Sequence, residues 1–227
     1  MSQYKIAIFL RVKQKPNFFR NLILNSLAQD FDNYVVYSAF FQEPYIQNDG
    51  KKIGKFSTSQ EILNYLARNT NHKEINVFGL YPKNQWPRQF NISCTKLYQA
   101  QSPHLRFNFF KFKHQSHAKI FIAKKRSIPE LAIIGSSNLS AGAFADNNSR
   151  WNQESDVVFW NDKDVDAARI IRHVLDEINE SVRDDNPSPF VYIADYTENH
   201  PGNRGIPMQE KLQLLEQEII ANASVYF

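Results

Sequence analysis

The sequence predicts an α/β/α sandwich around a mixed β-sheet. Three observations predict it. Apolar runs of strand length recur along the chain. Most of them are continuous rather than alternating, as in sheets covered on both faces. Amphipathic helical stretches separate several of them. The chain has 227 residues, 42% of them hydrophobic and 22% charged, which suits one domain spanning residues 1–227 with a core of its own. Its single cysteine, Cys94, excludes a disulfide framework and a cysteine-based metal cluster. No run approaches 18 apolar residues, which excludes a membrane-spanning helix.

The first strand is expected at Tyr4 to Leu10. Without a small-residue cleavage site after it, this run reads as a buried strand of a cytoplasmic protein rather than a signal peptide. Phe18, Leu22, Ile23 and Leu27 then share a helical face. Further strands are expected at Tyr34 to Phe41, Ile75 to Leu80, Ile120 to Ala123, Leu131 to Ile134, Val157 to Trp160 and Phe190 to Ala194. Ser57-Thr58-Ser59 caps a second helix carrying Ile62, Tyr65 and Leu66. The clearest helix runs from about Asp162 to Val182. Asp162, Asp164 and Asp166 suit its positive N-terminal end and lack the glycine and terminal glutamate of a calcium loop. Residues 197–207 read as a loop. A short amphipathic helix over about 207–222, with Met208, Leu212, Leu215 and Ile219 on one face, forms a C-terminal appendage.

Charge divides the chain. Residues 1–126 hold 20 Lys/Arg against 6 Asp/Glu, and residues 127–227 hold 7 against 17. Either the halves neutralise each other in the fold, or the basic side meets an anionic partner, nucleic acid or phospholipid. The run Lys111, Lys113, Lys119, Lys124, Lys125 and Arg126 contains no acid.

The chemistry concentrates between about 106 and 160. His117 and Lys119, two apart in an extended segment, project side by side. A phosphate between them relieves the repulsion of two cations, with Lys neutralising oxygens while the imidazole attacks or protonates. After the strand Leu131 to Ile134 comes Gly135-Ser136-Ser137-Asn138. Gly135 permits close backbone approach, while Ser136 and Asn138 offer donors to a phosphoryl oxygen. Glu154, at the entrance of the next strand, is placed to accept a hydrogen bond from the His117 Nδ1, with Asp156 as the second candidate. Taken alone, each feature also fits an ordinary surface strand or turn; the combination is what carries weight. His72, His104, His114, His173 and His200 show no metal-ligand spacing; His114 stands out only for lying three residues from His117.

The succession HAK, GSSN and a downstream Glu before an apolar strand resembles the phospholipase D superfamily. The wording HAKIFI…AIIGSSNLS…ESDVVF is most similar to its restriction-endonuclease branch, whose nuclease domain acts without metal. The resemblance implies a phospholipase D-like fold and no cofactor. It implies catalytic roles for His117, Lys119, Ser136, Asn138 and Glu154, with Lys111, Lys113, Lys124, Lys125 and Arg126 on DNA. It departs from the superfamily pattern where an Asp is expected: Lys124 stands there, a loss the endonuclease branch tolerates. Only one motif copy is present. The implied enzyme is therefore a homodimer whose two His117 residues share one site, one forming a phosphohistidine and the other protonating the leaving oxygen. A methyltransferase, helicase or specificity subunit is a candidate partner. A phospholipid hydrolase and an inactive nucleic-acid-binding subunit stay open as alternatives.

Overall fold

The computed structural model describes residues 3–12, 14–47, 49–79, 86–113, 117–182 and 190–226. In chain order the first elements are β1 (Tyr4–Arg11), α1 (Phe18–Leu27), β2 (Asn33–Tyr37), β3 (Tyr45–Ile46), β4 (Lys52–Ile53), α2 (Thr58–Leu66), β5 (Lys73–Gly79) and α3 (Trp86–Gln99). There follow β6 (Leu105–Phe112), β7 (Lys119–Lys125), β8 (Ile128–Gly135), α4 (Ala141–Phe144), β9 (Glu154–Asn161), α5 (Val165–Val182), β10 (Phe190–Asp195), a 3-10 turn at Pro201–Asn203, α6 (Met208–Ala221) and β11 (Ala223–Val225).

Nine strands hydrogen-bond in the order β10-β1-β9-β8-β7-β2-β5-β6-β11, and β3 and β4 form a separate hairpin. The β2–β5 and β5–β6 pairs are parallel, the others antiparallel, so the sheet is mixed as the sequence predicts. Apolar side chains divide between its faces. Phe9, Val36, Phe121, Ile133 and Val158 pack with α1, α2, α3 and α5 on one side. Val35, Phe78, Ile120, Ile122 and Ala132 pack under Met208, Leu212 and Ile219 of α6 on the other. The helix at the C-terminus is thus a covering layer for the second face. No helix among the described residues is long and apolar enough to cross a membrane.

Several expectations shift in detail. The run from Tyr34 leaves the sheet at Tyr37, and Phe41 instead bridges Leu139. Helix α5 begins at Val165, because the Asp164 carboxylate caps it by accepting the Ala167 N–H at 2.8 Å; Asp162 lies outside and pairs with Lys5. Ser57 caps α2 as its spacing implies, accepting the Gln60 N–H. Coverage of both faces fails at one corner. Ile8 (38% exposed), Leu10 (37%), Phe190 (57%) and Tyr192 (57%) form neighbouring rows on β1 and β10 that α6 does not reach.

Candidate functional site

Strand register brings the motif residues to one end of the sheet. Lys119 pairs with Gly135, and Gly135 with Asp156, so the three lie in one row across β7, β8 and β9 on the face that carries α1 and α5. Gly135 is required there by close approach. A Cβ on it would stand 1.9 Å from Asp156 Oδ1 and 2.6 Å from the Ser155 carbonyl. The missing side chain lets the Asp156 carboxylate lean over the middle strand toward Lys119.

Two carboxylates fix the loop that follows β8. Ser136 Oγ donates to Glu154 Oε2 at 2.5 Å and accepts the Ser155 N–H at 3.1 Å, while Asn152 Nδ2 donates to Glu154 Oε1 at 3.1 Å. Ser137 Oγ donates to Asp156 Oδ2 at 2.6 Å. The Asp156 carboxyl is fully buried, with Oδ1 unpartnered, and burial followed by the repulsion of Glu154 pushes it up to about 6. Lys119 is also buried and donates from Nζ to the His117 carbonyl at 2.6 Å. Burial lowers its ammonium below the ordinary lysine value, against the upward pull of Glu154 and Asp156.

Asn138 holds an unused amide. Its Oδ1 is buried without a partner, and its side chain makes no hydrogen bond among the described residues. The loop around it is tied to the chain leaving β2. Gln42 N–H donates to the Leu139 carbonyl at 3.0 Å, Thr58 Oγ1 donates to the same carbonyl at 2.6 Å, and Ala141 N–H donates to Gln42 Oε1 at 2.7 Å.

The His117 side chain is exposed and has no hydrogen-bond partner among the described residues. The expected hydrogen bond from the His117 imidazole to Glu154 is therefore not made: Glu154 accepts from Ser136 and Asn152, and the Asp156 carboxylate is buried and accepts from Ser137. Ser136 likewise spends its hydroxyl proton on Glu154 rather than leaving it free. His117 precedes β7 instead of lying within it, and His114 lies outside the described residues.

The basic run does not form one surface. Strand β6 neighbours β5 and β11, not β7. Register still places Lys111 level with Lys119 at the same sheet end, three strand spacings or about 14 Å away, and Lys111 and Lys113 are exposed. Lys124 and Lys125 are the correction. They sit at the opposite end of β7, where Lys124 is buried on Glu216 at 2.5 Å and Lys125 is held by Asp164 at 2.6 Å and Asp166 at 2.7 Å. Arg126 is exposed at that same far end, its N–H donating to Asp32. These cations neutralise the acidic half of the chain and do not line the site.

Arg11 is a site-end residue that motif reasoning missed. Fully buried and paired in register with Glu154, it donates to the Ala143 carbonyl at 2.9 Å and the Gln14 carbonyl at 2.6 Å, with Trp151 stacked at 5.5 Å. Its only signal in the sequence is a cation closing an apolar strand. Among the described residues no group of three or more His, Cys, Asp or Glu is gathered that could hold a metal ion.

No family model matches the chain, and no curated protein matches it. Solved structures similar to it include phosphatidylserine synthase from Haemophilus influenzae Rd KW20, at 14% identity and a TM-score of 0.47 over 96% of this chain and 46% of that one. Polyphosphate kinase from Porphyromonas gingivalis is similar at 12% identity and a TM-score of 0.37, over 75% of this chain and 26% of that one. Yeast tyrosyl-DNA phosphodiesterase is similar at 12% identity and a TM-score of 0.31, over 67% and 31%. The chain spans less than half the length of each of these three.

Proposed function

We propose that this chain is a phosphodiesterase of the phospholipase D type that hydrolyses DNA through a phosphohistidine, without a metal ion, as a homodimer in a restriction or defence system. One observation carries the reading. Among the described residues, an imidazole without a partner, a buried, partly desolvated lysine and an amide without a partner lie at one sheet end. Buried polar groups left without partners are uncommon; Asn138 Oδ1 is an acceptor, so it is the Nδ2 of the same amide that can donate to a phosphoryl oxygen.

The chemistry then follows from protonation and charge. A neutral His117 Nε2 attacks phosphorus, and the bond from phosphorus to the leaving oxygen breaks. The leaving oxygen takes its proton from the imidazolium of the partner's His117. That second imidazole, now neutral, removes a proton from water; hydroxide attacks phosphorus and the phosphorus–nitrogen bond breaks. Lys119 and the Asn138 amide hold the phosphoryl oxygens as charge builds on them. Glu154 acts as a positioning residue through Ser136 and Asn152, not through His117.

The uncovered rows of β1 and β10 offer an apolar surface to another molecule; Leu10 and Phe190 lie at the site end of the sheet but on the α6 face, opposite the row of Lys119, Gly135 and Asp156, so the dimer rests on the single motif copy and not on these rows. The same rows are the one feature that favours a phospholipid substrate. Incubation with supercoiled plasmid and with phospholipid vesicles in excess EDTA, wild type beside His117→Ala, separates these readings. Nicked plasmid from wild type alone supports the DNA reading; activity that vanishes with chelator and returns with magnesium refutes the mechanism. Hydrolysis of vesicles without nicking moves the substrate to phospholipid.

A further inference from the structure

We infer that the chain between β2 and α2, residues 38–57, is a substrate arm that grips the DNA backbone through Lys51, Lys52 and Lys55 and is held in register with the Asn138 loop. This rests on the DNA reading above and adds the surface that contacts the polymer.

Topology sets where the arm begins. Tyr37 of β2 pairs with Ile120 of β7, so the chain leaves the sheet beside Lys119. Hydrogen bonding fixes its root. The Phe41–Leu139 bridge and the bonds from Gln42 and Thr58 to the Leu139 carbonyl attach it one residue from Asn138. The residues on either side of the tip are paired as well. β3 and β4 pair between Tyr45 and Ile53, and the Gln47 N–H donates to the Lys51 carbonyl at 2.9 Å. Gly50 takes a positive φ of 81° that the turn needs, and Arg88 of α3 donates to the Ile46 carbonyl at 2.5 Å while lying 5.0 Å over the Tyr45 ring. A strut tied down in this way loses little entropy when it meets a ligand.

Charge identifies the ligand. Lys51, Lys52 and Lys55 are exposed, and none forms an ion pair among the described residues, in contrast to Lys124 and Lys125, which are consumed by acids. Of the acids in the arm, Glu43 has a fully buried side chain held by Ser57, Ser93 and Lys96, and Asp49 accepts the Lys51 N–H. Lysines without acids, repeated along a fixed strut beside a phosphate site, suit a polymer that carries one charge per backbone unit. A membrane surface fits less well. Ile46 (60% exposed) is the arm's one large apolar group open to solvent, too little to insert into lipid.

The test compares wild type with the Lys51→Ala/Lys52→Ala/Lys55→Ala variant. Binding to a fluorescent 30-base-pair duplex is titrated across salt, and turnover of bis(p-nitrophenyl) phosphate by wild type is measured in the same buffer. Each lost phosphate contact removes about 0.9 from the log–log salt slope, so the slope should become shallower by about 2.7. Affinity near 0.15 M salt should then fall on the order of a hundredfold. All three positions are exposed, and a matching melting curve checks the variant's fold. An unchanged slope with normal wild-type turnover overturns the arm and leaves the hydrolase reading standing. A flattened slope with no wild-type turnover keeps the arm and overturns the hydrolase. Wild type that binds duplex without salt dependence, or a variant that loses only binding to phosphatidylserine vesicles, overturns the arm as a DNA contact.

Discussion

The buried Asp156 makes a quantitative demand on stability. Its carboxyl is pushed up to about 6 in the folded chain, against about 3.9 for an unfolded aspartate. A raised folded value means that the native state holds the proton more tightly than the unfolded one. The associated stability is fully present below about pH 3.9 and is lost as pH rises through about 6. Two pKa units correspond to about 3 kcal/mol, so wild type carries that cost at pH 7.5. Asp156→Asn keeps the shape and an acceptor for Ser137 Oγ while removing the charge. The variant should be more stable than wild type at pH 7.5 by up to about 3 kcal/mol, about 6–12 °C in melting temperature for a chain of this size. The advantage should shrink toward zero near pH 4. Urea unfolding of both proteins at pH 4, 6 and 7.5 reads the difference directly, and effects of carboxylates that do not interact with Asp156 cancel in it. A difference that does not change with pH, or an Asn variant that is the weaker protein at pH 7.5, would refute the account of a strained buried carboxylate.

Three further outcomes follow from the same geometry. Gly135→Ala forces a methyl into the space held by Asp156 Oδ1 and should cost about 1–3 kcal/mol by urea unfolding, a cost much reduced in the Asp156→Ala background. Equal losses in both backgrounds would mean that the clash lies with the Ser155 carbonyl instead. Lys124→Ala breaks the buried pair with Glu216 that ties α6 to the sheet and should cost about 3–5 kcal/mol while leaving the salt slope of DNA binding intact; a flattened slope would return Lys124 to the DNA surface. Mixing wild type with His117→Ala chains should lower plasmid nicking as the square of the wild-type fraction after subunit exchange, whereas a linear fall would show that each chain works alone.

The strands were legible because their apolar runs are long and continuous. The runs Ile75 to Leu80 and Leu131 to Ile134 read directly as covered strands, Leu80 lying outside the described residues, and α5 read directly from its stripe and its acidic start. Helix α3 was not read. Its span, WPRQFNISCTKLYQ, mixes weak helix formers, although Phe90, Cys94 and Leu97 do fall at helical spacing and are buried. At the site, the residues Gly135, Asn138 and Lys119 were readable as types suited to a phosphate, but their partners were not. Glu154 looks from the sequence like a partner for an imidazole. Only the strand register shows that it faces Ser136 and Asn152. The same limit applies to the basic run. Lys124 and Lys111 look alike in sequence, and the acids that neutralise Lys124 and Lys125 lie some 40 to 90 residues further along.

The division between fixed and free groups at this sheet end matches what phosphoryl transfer through a histidine requires. Groups that hold charge steady must not move, and here Lys119, Glu154 and Asp156 are buried with defined neighbours. A group that must make and break a bond to phosphorus needs a free lone pair, and His117 is exposed without a partner among the described residues. Such a freely placed imidazole is a poor nucleophile on its own, because nothing among the described residues sets its tautomer. A phosphate on one side and a second subunit on the other would set it. The arm at residues 38–57 then has a stated task, to present a long polyanion to a site that forms between two chains. The arm's root and the Asn138 loop meet at one acceptor, the Leu139 carbonyl, so an arm drawn onto a polyanion would pull on the loop that carries the Asn138 amide.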